Sequence, residues 1–215
     1  MKTIVAIYTG KGLQDPLSAL ISQMLPGFRQ VSIIDDNIIG ECVKAGEVTA
    51  NVKSLLNKYY KAAVDMGADI ILNTCSSVGD VADAAAPASP VPLIRIDEAM
   101  AIKAVENHKK IAVVATLPTT LDPTLRFIKA KAKLAGKEIE AISGLAEGAF
   151  DALISGDPAK HDEIIKSTVE KLAKENADCI VLAQASMMRM EKALNDLVDI
   201  PVYASPPLCF EALAK

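Results

Sequence analysis

Displaced by 107 residues, the chain falls onto itself. Ile4-Val-Ala-Ile meets Ile111-Ala-Val-Val, Thr9 meets Thr116, and Asp15-Pro16 meets Asp122-Pro123. Farther on the displacement becomes 109, as if one loop differed by two residues: Gly67-Ala-Asp-Ile-Ile-Leu meets Asn176-Ala-Asp-Cys-Ile-Val, and Val91-Pro92-Leu93 meets Ile200-Pro201-Val202. An ordered match of this kind means one supersecondary plan used twice. Both Asp-Pro pairs predict a helix start, aspartate as N-cap and proline at the first helical position. Gly67 and Asn176 are the residue types that most readily take the left-handed conformation ending a helix.

Short apolar runs recur through both copies at Ile4–Tyr8, Val31–Ile34, Ile70–Asn73, Leu93–Ile96, Ile111–Ala115, Ile139–Ile142, Cys179–Leu182 and Val202–Ala204. They are continuously apolar rather than alternating, as parallel strands covered on both faces must be. Between them lie helical patterns: Val48, Val52, Leu55, Leu56, Tyr59 and Ala63 in one, Ile165, Val169 and Leu172 in another. Strand–helix alternation predicts an α/β fold of two pseudo-symmetric Rossmann-like halves with parallel sheets and the active site in the cleft between them. The expected boundaries are 1–97, joined by 206–215, for the first half and 98–205 for the second.

Composition narrows the function. No run stays apolar for the ~18 residues of a membrane helix, and the apolar N-terminus stops at Thr9-Gly10-Lys11-Gly12, so it reads as a first strand, not a signal peptide. A net charge of −4 without a basic run argues against a nucleic-acid partner. The four cysteines (Cys42, Cys75, Cys179, Cys209) show no C-x-x-C spacing, which argues against both a disulfide framework and a metal site. They imply free thiols in a reducing, cytoplasmic setting. His108 and His161 sit in charged contexts that predict exposure, which argues against a His-based triad.

In a parallel sheet, ligands bind beyond the carboxyl ends of the strands. There the first half runs into Asn73-Thr-Cys75-Ser-Ser-Val-Gly79 and the second into Leu182-Ala-Gln184-Ala-Ser-Met, with Gln184 opposite Cys75 and Ser186 opposite Ser77. Cys75 is expected between a strand end and a helix start, where free N–H groups favour thiolate; the competing reading is a small residue in a tight turn. Ser76 and Ser77 add hydroxyls and amides able to hold a carboxylate. Thr116-Leu-Pro-Thr119-Thr120 is an anion cradle or ordinary cap chemistry, and Thr9 is its counterpart. Cys179 reads as core, Gly10-Lys11-Gly12 as a turn lacking P-loop spacing, and Arg189 as an exposed arginine or a partner for a substrate carboxylate.

Through the two halves, the Asn73–Gly79 and Thr116–Thr120 segments and the Gln184 turn, the whole chain resembles the aspartate/glutamate/hydantoin racemase superfamily. The resemblance implies a cofactor-independent enzyme acting on a small carboxylate, and by analogy a homodimer or larger homo-oligomer. One cysteine from each half would flank the acidic carbon next to that carboxylate. Cys75 matches the first cysteine, and Thr9, Ser76, Ser77, Thr116, Thr119 and Thr120 match the groups that hold the carboxylate. Gln184 stands where the second cysteine belongs. A primary amide hydrogen-bonds well but does not exchange protons usefully near neutral pH. Two-base racemisation, single-thiol decarboxylase, isomerase or lyase chemistry, and a non-catalytic carboxylate binder therefore all remain open.

Overall fold

The structure is a computed structural model describing residues 1–215. The chain divides into two compact units, Met1–Glu98 with Pro206–Lys215, and Ala99–Ser205.

In the first unit, β1 (Lys2–Tyr8), α1 (Gln14–Met24), β2 (Phe28–Ile34), α2 (Ile38–Ala45), α3 (Ala50–Asp65), β3 (Ile70–Asn73), α4 (Gly79–Ala85) and β4 (Leu93–Arg95) build a four-stranded parallel sheet of order β2-β1-β3-β4. The second repeats the plan: α5 (Glu98–Asn107), β5 (Lys110–Ala115), α6 (Pro118–Leu134), β6 (Glu140–Leu145), α7 (Ala149–Ile154), α8 (Pro158–Lys174), β7 (Cys179–Leu182), α9 (Glu191–Asn195) and β8 (Val202–Ala204), with sheet order β6-β5-β7-β8. A last helix, α10 (Ser205–Leu213), carries the chain back to the first unit.

The registers bear out the repeat. Ile4 pairs with Ile70 as Ile111 pairs with Cys179, which are the positions the two displacements predict. The second strands tell more: Thr3 pairs with Arg29 and Lys110 with Glu140, so β2 and β6 lie 111 residues apart. The offset thus rises after the first helix and falls again before β7, rather than changing once.

Each core is what the apolar runs and stripes anticipate. In the first unit Val5, Ile7 and Ile71 from the sheet pack against Cys42 of α2 and Val52, Leu56 and Ala63 of α3, but the buried tyrosine there is Tyr60, not Tyr59 of the expected stripe, which is half-buried. In the second, Val114, Ile180 and Leu182 pack against Ile165, Val169 and Leu172 of α8. Thr49 caps α3 by accepting the Val52 N–H at 3.1 Å, and Asp157 caps α8 by accepting the Lys160 N–H at 3.0 Å. The two helices stop as expected, Gly67 at φ +77° and Asn176 at φ +60°.

The Asp-Pro pairs do not start their helices. Asp15 and Pro16 lie in the first turn of α1, whose N-cap is Leu13, and Asp122 and Pro123 lie inside α6. Pro118 takes the first position of α6, and nothing from Thr119 to Leu121 breaks the turn that follows. In the first half Gly12, at φ +87°, holds the chain out of helix and delays α1.

The exposure expected of the histidines fails at His161, which is 4% exposed. It sits one turn before Ile165 on the stripe that α8 buries, so its position on the helix overrides the charges beside it.

Candidate functional site

The first-half residues gather at the carboxyl ends of the adjacent strands β1 and β3. Thr9 follows β1 and is buried. Thr74 ties the strand ends together: its N–H and hydroxyl both donate to the Ile7 carbonyl, at 3.2 and 2.8 Å. Cys75 is next, in extended conformation (φ −122°, ψ 115°), capping a single 3-10 turn over Ser76–Val78 that leads into α4. Ser76 and Ser77 are both buried. The sequence expectation of a thiol between a strand end and a helix start therefore describes the local geometry.

Cys75 is also the exception among the four thiols. It is half-buried, against the edge of the first core, while Cys42, Cys179 and Cys209 are fully buried. Burial pushes the Cys42 thiol up to about 11, with help from the nearby Cys75 and Glu41 charges. It pushes Cys179 and Cys209 up to about 12. A thiol held that high is neutral and inert near pH 7.

Three residues that sequence reasoning left without a role fix the Cys75 turn. Asn73, 1% exposed at the end of β3, donates through Nδ2 to the Cys75 carbonyl at 2.9 Å. Its Oδ1 accepts the Tyr60 hydroxyl at 3.2 Å. Arg95, opposite Asn73 in the β3–β4 register, lies across the start of α4. Its Nε and Nη2 form a two-pronged pair with Asp97 at 2.8 Å each, and Nη1 reaches Asp83 at 2.7 Å. Burial opposes the charge on Arg95, but Asp97 and Asp83 outweigh it and raise its pKa. Gly79 is glycine because of this: a Cβ there would lie 2.2 Å from Arg95 Cζ. The available signal was the buried polar pattern Arg-Ile-Asp at a strand end, where apolar residues are the rule.

In the second half the expected residues join at the ends of β5 and β7. Gln184 Oε1 accepts the Thr116 N–H at 2.7 Å, and its Nε2 donates to the Thr116 hydroxyl at 2.8 Å. The amide opposite Cys75 in the repeat thus braces two strand ends. Thr119 and Thr120 fall in the first turn of α6, where Thr120 is buried and the Thr119 hydroxyl is shielded from solvent without a partner. Ser186 is exposed. Arg189 is not a free cation. It forms a two-pronged pair with Asp162, one arm at 2.7 Å, and Asp162 in turn holds His161 Nδ1 at 2.7 Å. The Arg189 bond, opposed in part by burial and aided by His161, keeps the Asp162 carboxyl below the usual carboxylate range.

No group of three or more His, Cys, Asp or Glu side chains gathers as a metal site would require. No helix is long and apolar enough to cross a membrane.

Known structures share this architecture. A glutamate racemase from Bacillus anthracis superposes with a TM-score of 0.80 at 16% identity, covering 99% of this chain and 80% of that one. An aspartate racemase from Picrophilus torridus gives 0.75 at 16% identity, covering 99% and 93%. An allantoin racemase from Klebsiella pneumoniae gives 0.74 at 16%, covering 99% and 86%. At such identities the likeness is one of fold. No curated protein sequence matches the chain. The Asp/Glu/hydantoin racemase family model, however, matches residues 20–213, nearly the whole length, and the chain belongs to that family.

Proposed function

We propose that the protein is a cofactor-independent enzyme acting at the carbon next to the carboxylate of a small amino acid or related acid, with Cys75 as its catalytic thiolate. The observation that carries this reading is the contrast among the cysteines: one half-buried thiol at a strand end, three sealed in apolar surroundings. Membership of a racemase family supports the reaction class.

In the proposed reaction Cys75 Sγ, as thiolate, takes the proton from the α-carbon. The electron pair of the broken C–H bond moves into the carboxylate as an enediolate, and the hydroxyls of Thr9, Ser76, Ser77, Thr116, Thr119, Thr120 and Ser186 are the candidates to hold its oxygens. Return of the proton restores thiolate and substrate. Racemisation also needs an acid on the opposite face, with a workable pKa. Gln184, in the position of the second cysteine, supplies none, and its amide is engaged with Thr116. That engagement favours a second reading on the same scaffold: a single-thiol decarboxylase, isomerase or lyase in which Cys75 protonates one face of the intermediate. Either enzyme works in the cytoplasm, as a homodimer or larger homo-oligomer.

Proton NMR in D2O tests both readings. Small carboxylates, amino acids, hydantoins and substituted malonates are incubated with wild type and with Cys75→Ala. Deuterium at the α-carbon with loss of chirality, dependent on Cys75, establishes a racemase. Cys75-dependent turnover to a product of one hand establishes single-thiol chemistry. Turnover that survives in Cys75→Ala refutes the catalytic role, and binding without any exchange identifies a carboxylate binder.

A further inference from the structure

The two halves of the fold are each other's control. Under the 109-residue displacement Tyr60 corresponds to Val169 and Asn73 to Leu182, both buried in the second core. The equivalent helix and strand positions are therefore apolar and buried in one half and polar in the other. The fold does not require the polar pair. Burying an amide in a strand is costly unless each of its groups finds a partner. Here both ends are satisfied, by the Tyr60 hydroxyl and the Cys75 carbonyl.

We propose that Tyr60 and Asn73 are positioning residues, a two-step relay that sets the direction of the Cys75 peptide and, through it, of the thiol. The inference rests on Cys75 being the reactive thiol of this chain. Tyr60 holds the Asn73 carbonyl oxygen, which leaves Nδ2 aimed at the Cys75 carbonyl. The Cys75–Ser76 peptide is planar, so pinning its oxygen toward Asn73 turns the Ser76 N–H the opposite way and fixes the ψ of Cys75. The turn's own closing bond does this less well: Val78 N–H reaches the Cys75 carbonyl at 3.3 Å, against 2.9 Å for Met187 N–H to Gln184 in the second half. The half with the thiol has the slacker turn and the added brace.

The test compares Tyr60→Phe with the double variant Tyr60→Phe/Asn73→Leu, which installs an apolar pair as in the other half. The readouts are the iodoacetamide rate of Cys75 against pH, located by peptide mass spectrometry, kcat and KM of the exchange reaction, and the melting temperature. Loss of the relay lowers both the alkylation rate and kcat about tenfold, the worth of one well-placed hydrogen bond, and leaves KM near wild type. In the double variant no polar group is orphaned, so the melting temperature returns toward wild type while the rates stay low. That separation marks positioning rather than structural support. A wild-type alkylation profile in Tyr60→Phe, or wild-type rates in the double variant, overturns the relay. Because alkylation reads the thiol directly, failure of the relay is distinct from failure of the catalytic reading, which shows as exchange that survives Cys75→Ala.

Discussion

Replacing a helical glycine by alanine ordinarily stabilises a protein, by about 0.5–1 kcal/mol, because the glycine helix interior is entropically expensive. Gly79 should do the reverse. Its backbone (φ −58°, ψ −37°) accepts any residue, so strain is not the obstacle. The obstacle is Arg95, whose Cζ, Nη2 and Nε would lie 2.2, 2.3 and 2.6 Å from the new methyl. Contacts that short force a shift, and the guanidinium has little freedom to make one: its side chain is 2% exposed and three of its hydrogen bonds run to Asp97 and Asp83. Overpacking costs about 1–3 kcal/mol, and prising apart a buried ion pair costs about 3–5 kcal/mol when complete. Taking partial loosening of the pair and subtracting the helical gain leaves a net destabilisation of about 2–4 kcal/mol. For a chain of this size that lowers the melting temperature by roughly 5–15 °C, measured by circular dichroism and calorimetry on wild type and Gly79→Ala. The control is a background of Arg95→Met with Asp97→Leu, where the buried pair is removed whole and the half-exposed Asp83 loses its partner to solvent; there Gly79→Ala should be neutral or stabilising. A Gly79→Ala protein that melts at or above wild type in the native background refutes the argument that Arg95 is held fast against α4.

Two further outcomes follow from the burial of charge and thiol. Native protein at pH 7 should take up one equivalent of iodoacetamide quickly, at Cys75, and three more only on denaturation, since Cys42, Cys179 and Cys209 are buried with thiols held at about 11, 12 and 12; mass spectrometry counts them. The Asp162 carboxyl is lowered, chiefly by Arg189, so its contribution is present above the ordinary carboxylate value of about 4 and is lost as pH falls through its folded pKa. Asp162→Asn should therefore shift the urea midpoint downward at pH 7 and not at pH 2; an equal shift at both would exclude a charge effect.

The strands were legible because a doubly covered parallel strand has no freedom to be anything but apolar, and the runs at Ile70–Asn73 and Cys179–Leu182 match β3 and β7 residue for residue. Helix starts were not, because a proline is compatible with several early positions. Asp122-Pro123 carries the signature of a start, but Pro118 takes the first helical position five residues before Pro123, after a leucine that caps with no side-chain bond, and the helix simply runs through the second proline. The position of Cys75 followed from its place after an apolar run. Its supports did not, since Asn73 reads only as the end of a strand, Arg95 only as a member of the run Leu93–Ile96, and the helical stripe picks out Tyr59 rather than Tyr60. Each is assigned its role by a partner far away in the sequence.

The repeat narrows that gap in a way no single-copy chain allows. Where both halves put a polar residue at equivalent places, as with Thr9 and Thr116, the common fold is a sufficient explanation of its burial. Where one half buries a polar group and the other an apolar one, the fold has been shown to manage without it. Asn73 against Leu182, Tyr60 against Val169 and Arg95 against Ala204 are all of this second kind, all in the first half, and all converge on the turn that carries Cys75. The second half has exceptions of its own elsewhere: Thr124, opposite Leu17, returns its hydroxyl to the Thr120 carbonyl, and His161, opposite Val52, is joined to Asp162 and Arg189, whose bond ties α8 to the turn beyond Gln184. Buried polar groups carry a free-energy cost that a neutral substitution would remove, so their concentration around one thiol, in the half that has it, is the physical sign that the two copies no longer do the same work.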